Sequence, residues 1–139
     1  MTDEIKLIRA FADASPVAKW LGFSARIADD DTLFTLEFAE HHIGNAMIRA
    51  LHGGAISTFL EFAANAKLYA HLGTDTNIST VNADIEYLTS ASAKNMTARV
   101  RFIRVGRRLA FVEATGWQVD ENSPVAVGRF RFKLGTSDK

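Results

Sequence analysis

The chain has 139 residues, 47% of them apolar, which is enough for the core of one domain and too short for two ordinary ones. Its 16 Lys and Arg balance 16 Asp and Glu, so no global field draws it to nucleic acid or to an anionic membrane. It has no cysteine, which removes disulfides, thiol nucleophiles and thiolate metal sites together and fits a reducing compartment.

Met1-Thr2-Asp3-Glu4 is acidic and lacks the basic and apolar regions of a secretory signal. No apolar run approaches the ~18 residues of a membrane span, so a soluble, cytoplasmic domain with no membrane partner is expected. Ile5, Ile8 and Ala12, with Leu7 and Phe11 beside them, fall at helical spacing. Ser15-Pro16 reads as an N-cap with proline at the first helical position, and Gly22 closes this second, short helix. Residues 1–22 therefore form an N-terminal helical segment, and 23–136 form the main domain.

Phe23 to Ala39 reads as two strands around a turn at Asp29-Asp30-Asp31, with Phe34, Leu36 and Phe38 on one face. His41 to Leu51 has no clean period and reads as an ordered loop. Gly53 to Leu72 is a single long helix closed by Gly73 and spanning ~30 Å. Its apolar residues run most of the way round, so it is expected to be covered on nearly every side. Only strands follow. Val81, Ala83, Ile85 and Tyr87 alternate with polar residues, as do Ala98, Val100 and Phe102. Val105-Gly106-Arg107 turns into Leu109 to Val119, and Asp120-Glu121-Asn122-Ser123 turns into a last strand through Leu134. The fold class is α+β, with a curved antiparallel sheet wrapped over one long helix.

His52-Gly53-Gly54 stands where a loop enters that helix. Two glycines allow close approach of a substrate to the backbone, and the first N–H groups of a helix have no internal partner. Those donors and the helix dipole suit a polarised carbonyl, although tight packing of helix on sheet would also call for glycine. Glu61 is the one acidic residue between His41 and Thr74 and lies in the most apolar helix of the chain. Ser57, Thr58 and Asn65 at i−4, i−3 and i+4 make a polar stripe with it. Glu61 lies a little over two turns past Gly53, out of reach within one chain. A second chain docked antiparallel would bring the two together.

The run His52-Gly53-Gly54-Ala55-Ile56-Ser57-Thr58-Phe59-Leu60-Glu61 resembles the signature of the PaaI-like branch of hotdog acyl-CoA thioesterases. His42-Ile43-Gly44-Asn45, Leu51, Ile85-Glu86-Tyr87-Leu88 and Val105-Gly106-Arg107 extend the likeness over roughly residues 30 to 134. It implies a hotdog fold and hydrolysis of an acyl-CoA by a homodimer or homotetramer. It further implies that a glycine N–H at Gly53 or Gly54 polarises the carbonyl and that Glu61 of the facing subunit acts as base or nucleophile. His52 and Asn45 would position the site or the water, and Thr80 would orient the water. Two departures stand out: Glu61 replaces a frequent Asp, and Asn45 precedes His52 by seven residues where six is common.

Arg104, Arg107 and Arg108 cluster at a hairpin and suit the phosphates of coenzyme A, or else a solvated cationic turn. His41, His42, His52 and His71 lack metal-ligand spacing, and neither a metal nor any other cofactor is expected. A hotdog hydratase or dehydratase and a non-catalytic acyl-CoA-binding module are the competing functions.

Overall fold

A computed structural model describes residues 2–136; residue 1 and residues 137–139 lie outside it. The chain opens with α1 (Thr2–Asp13), whose Ile5 and Ile8 enter the core and whose Phe11 ring packs 5.1 Å from Phe62 and 4.9 Å from Tyr69. Helix α2 (Pro16–Leu21) follows, with proline at its start but no side-chain bond from Ser15. Gly22 closes it at φ +67, and a Cβ there would meet the Glu37 carbonyl at 2.8 Å, so both conformation and space demand glycine.

Strands β1 (Phe23–Ala28) and β2 (Asp31–Leu36) form an antiparallel hairpin. Asp29 and Asp30 both take positive φ, as a tight two-residue turn requires. The expected three-residue turn is thus one residue shorter, and Asp31 begins β2. Its carboxylate accepts from Lys67 at 2.6 Å and from Arg99 at 2.7 Å, which ties β2 to the long helix and to a neighbouring strand. The expected loop at His41 to Leu51 is more ordered than its sequence. It is a 3-10 turn (Glu40–His42) followed by a two-stranded ribbon of β3 (Ile43–Asn45) and β4 (Ala50–Leu51). Pairings this short carry no readable alternation.

Helix α3 (Gly53–Leu72) has the bounds read from the sequence and lies in the core, with Phe59, Leu60, Ala63, Ala64, Ala66 and Leu68 fully buried. Around it runs one antiparallel sheet in the order β1-β2-β6-β7-β8-β5. Its remaining members are β5 (Thr76–Tyr87), β6 (Met96–Val105), β7 (Leu109–Trp117) and β8 (Ala126–Thr136). The inward residues of β8 are Ala126, Gly128, Phe130, Phe132 and Leu134, the set expected from alternation. This is the hotdog fold: a long central helix and a curved six-stranded antiparallel sheet. Among the described residues, no helix is long and apolar enough to cross a membrane.

Burial pushes the Asp31 carboxyl up, but hydrogen bonds from Lys67, Arg99 and the Thr32 N–H outweigh it and hold the group below its usual range. A depressed carboxylate stabilises the fold above the unfolded value of ~3.9, and that contribution is lost as pH falls through the lower folded value. Asp31→Asn leaves Lys67 without its partner. The expected cost is about 2 kcal/mol near neutral pH, between the ranges for exposed and buried pairs. A thermal melt should fall by roughly 4–8 °C. The gap from wild type should close as the melts are repeated toward pH 3, and an equal gap at pH 3 and pH 7 would remove the ion pairs from the explanation.

Candidate active site

His52 caps α3: its Nδ1 accepts the Gly54 N–H at 2.8 Å. The Ala55 and Ile56 N–H groups turn back to the His52 carbonyl. The Gly53 N–H meets no acceptor among the described residues, while the Gly53 carbonyl accepts the Tyr87 hydroxyl at 2.8 Å. The two glycines therefore play different parts. Gly54 spends its donor on the cap, and a Cβ there would stand 3.0 Å from His52 Nδ1. Gly53 keeps a donor at the positive end of a 20-residue helix, and a Cβ there would meet only the Tyr87 ring at 3.5 Å, an ordinary contact. Packing within the chain does not demand glycine at Gly53.

Glu61 is partly buried, and its Oε2 accepts the Thr80 hydroxyl at 2.7 Å. This contact depends on a bulge in β5, where the pairing with β8 slips between Thr80 and Asn82. On one side of the slip Ile78 and Thr80 pair with Leu134 and Phe132, and on the other Ala83, Ile85 and Tyr87 pair with Phe130, Gly128 and Ala126. The extra residue, Val81, is 52% exposed. Thr80 and Tyr87, which unbroken alternation would set on opposite faces, therefore both reach α3. One turn past Glu61, Asn65 Oδ1 is buried and has no hydrogen-bond partner among the described residues. Glu61 and Gly53 are eight residues apart on one helix, about 12 Å along its axis. A single chain does not bring them together.

The other sequence candidates are placed as follows. Asn45 is exposed, and its Oδ1 accepts the Met47 N–H at 3.1 Å, a local turn. Gly44 lets β3 lie against the capping residue, since a Cβ there would meet His52 Cα at 2.8 Å. Arg104, Arg107 and Arg108 sit exposed around the β6–β7 hairpin and form no ion pair among the described residues. That hairpin is at the far end of α3 from Gly53, where His71 packs 5.0 Å from Phe102. Among the described residues, no three His, Asp or Glu side chains converge as a metal site.

Two further residues neighbour the site: Tyr87, which was not singled out from sequence, and Trp20, which with Phe11, Phe59 and Phe62 reads from sequence as core or acyl-pocket lining. Tyr87 braces Gly53. On the opposite side, α2 supplies Val17 and Trp20 to an apolar cavity of about 430 Å³ that His52, Ala55 and Thr58 also line. No sequence signal links Trp20 to His52, because the contact joins elements 32 residues apart.

The sequence model of the thioesterase superfamily matches residues 49–125, more than half of the chain. No curated protein matches it. Among solved structures, a thioesterase-superfamily protein is 24% identical with a TM-score of 0.85, over 95% of this chain and 98% of that one. A thioesterase family protein from Silicibacter pomeroyi is 17% identical with a TM-score of 0.83, over 96% of this chain and 99% of its own. A phenylacetic acid degradation-related protein from Ralstonia eutropha is 22% identical with a TM-score of 0.77, over 90% and 96%. At such identities the structural likeness is one of fold. The family match is independent of it, and it contains the glycine entry, all of α3 and Thr80. The chain belongs to the thioesterase superfamily, and its general chemistry is thioester hydrolysis.

Proposed function

We propose that the protein hydrolyses acyl-CoA thioesters to a free carboxylic acid and coenzyme A, with each active site shared between two copies of the chain. The observation that carries this reading is the pair of groups on α3: a Gly53 N–H at its start that meets no acceptor among the described residues, and a Thr80-bound Glu61 two turns on. The first suits a carbonyl oxygen and the second a proton, and they are useful to one substrate only if they come from different chains.

The sheet offers a way to join them. β5 is 12 residues long and ends the strand order, so its outer edge has no partner among the described residues. Val81, Tyr87 and Leu88 are each about half exposed along or just beyond it. A long edge of this kind invites a second strand. Antiparallel pairing of two β5 strands continues the sheet and sets the two α3 helices side by side in opposite directions. The result is a homodimer, which can pair again as a homotetramer.

In this arrangement the thioester oxygen accepts the Gly53 N–H of one chain. Glu61 of the other chain takes a proton from water as the water oxygen attacks the carbonyl carbon. The C–S bond then breaks, and the proton passes to the departing thiolate. Thr80 holds Glu61 in place, and His52 holds the helix entry by capping Gly54. Asn45 would act through the shape of the β3–β4 ribbon. Arg104, Arg107 and Arg108, free of ion pairs among the described residues, are the phosphate-binding candidates for the nucleotide end of coenzyme A. The chemistry calls for no cofactor, and the balanced charge favours a small thioester over nucleic acid or membrane in a cytoplasmic setting.

Thiol release from a panel of acyl-CoAs tests the reading. Steady turnover is the expected result. Saturable binding without thiol would leave a binding module, and hydration of an enoyl-CoA without thiol would make the protein a hydratase.

A further inference from the structure

We infer that the acyl group of the substrate enters the cavity between α2 and the first turns of α3, that Trp20 sets the size it accepts, and that the group is an uncharged hydrocarbon chain. The inference rests on the thioesterase reading above and adds the identity of the acyl side of the substrate.

The cavity meets the site at the helix entry. His52 and Gly54 form one end of it, so a carbonyl held at the start of α3 has its substituent beside this opening. Its volume of about 430 Å³ falls in the range of small-molecule pockets, ~300–1,000 Å³. Val17, Trp20 and Ala55 make the walls apolar. On the other side of the same turn lies a second cavity of about 290 Å³, with Tyr87, Thr89 and Ser90 among its lining residues. Hydroxyl groups there suit the amide-bearing arm of coenzyme A, which leaves the apolar side for the acyl chain.

Trp20 is held as a fixed wall. Its carbonyl accepts two imidazole N–H groups, from His41 Nε2 at 2.7 Å and His42 Nε2 at 2.8 Å. The fully buried His42 is locked in one tautomer, because its Nδ1 accepts the Ala39 N–H at 3.1 Å. The indole ring packs 4.9 Å from His41 and 5.0 Å from His42. A six-residue helix cannot hold itself together in water. These contacts give α2 a definite position, yet Trp20 remains 46% exposed and Val17 42% exposed. Two large apolar side chains left open at the mouth of a cavity are accounted for if an apolar group completes the packing.

Charge selects the chain further. The walls carry no Lys, Arg, Asp or Glu. The depression that continues past the shared residues Val17 and Thr58 is lined by Glu61 and Asn65. A terminal carboxylate on the acyl group would therefore find no Lys or Arg, only the imidazoles of His41 and His52, each of which already spends a ring nitrogen on the Trp20 carbonyl or the Gly54 N–H, and it would approach the Glu61 carboxylate.

The experiment has two readouts. Thiol release is followed with acetyl-, hexanoyl-, octanoyl- and succinyl-CoA for wild type, Trp20→Ala and Trp20→Phe. Separately, the emission of Trp20 is followed in a Trp117→Phe background while the thioether analogue of octanoyl-CoA is added; Trp117 is the other tryptophan and is buried. Octanoyl-CoA should exceed succinyl-CoA in kcat/KM by about 10-fold or more, and Trp20→Ala should lower kcat/KM for octanoyl-CoA by about 10-fold while leaving acetyl-CoA within about 2-fold. Trp20→Phe should fall between the two, and Trp20 emission should move to shorter wavelength with the thioether. Thiol release with an unchanged chain-length profile in Trp20→Ala and a silent Trp20 would overturn the pocket and leave the hydrolase standing. A shifted emission with no thiol released from any substrate would keep the pocket and overturn the hydrolase. Failure of both readouts would overturn both.

Discussion

Glu61→Gln should lower the turnover number by about 10²-fold or more, the usual scale for a lost general base. The amide keeps the length of the side chain and still accepts the Thr80 hydroxyl that now lies 2.7 Å from Oε2, so the geometry of the site is retained. What disappears is the negative charge and the capacity to take a proton from water. The fold should hold or gain, because a partly buried carboxylate gives up more solvation than an amide does. Glu61→Asp is expected to retain partial activity, since it keeps the charge but withdraws it by one methylene from Thr80. The measurement is thiol release by wild type and both variants, with a thermal melt of each. A Gln variant as fast as wild type would take Glu61 out of the chemistry and remove the central support for the shared site.

Gly53→Val is expected to be the second large loss, about 10² to 10³-fold in turnover, as when a carbonyl-polarising donor is blocked. The side chain would stand where the substrate carbonyl must reach the Gly53 N–H, which meets no acceptor among the described residues. Gly53→Ala separates this from a packing defect. A Cβ at Gly53 comes no nearer than 3.5 Å to Tyr87, and alanine is the better helix former, so this variant should melt no lower than wild type. An unfolded alanine variant would return Gly53 to a packing role. The two lesions together also test the sharing of the site. A dimer of one Glu61→Gln chain and one Gly53→Val chain has one active site with both defects and one with neither. Random mixing after dissociation makes about half of the dimers of this kind, so roughly a quarter of wild-type activity should return. No recovery on mixing would mean that glycine and glutamate act within one chain.

Much of the fold was legible because it rests on local chemistry. The bounds of α3 follow from an apolar run that begins after two glycines and ends at a third, and β8 follows from an alternation that one buried face preserves over its length. The residues around the site were legible for a similar reason. An acid in an otherwise apolar helix, nine residues past the histidine of a His-Gly-Gly run, is conspicuous without any partner in view. The turn at Asp29-Asp30 was read one residue too long, since three consecutive aspartates carry the same turn signal while the pull of Lys67 and Arg99 on Asp31 comes from distant elements. The β3–β4 ribbon escaped notice because its strands are three and two residues long.

The amino-acid sequence by itself determined that this is an α+β domain around one covered helix, that the helix begins at two glycines, and that its single carboxylate lies eight residues past the first of them. Periodicity, capping and composition act over a few residues, so they survive in the linear order. Only the tertiary structure decided that Gly54 gives its N–H to His52 while Gly53 does not, that the bulge at Val81 turns Thr80 toward Glu61, and that Trp20 is pinned by two histidines beside the helix entry. Each of these depends on where two distant segments come to rest against each other. A slip of one residue in a strand reverses every side chain beyond it, and nothing in the local pattern of β5 announces that slip.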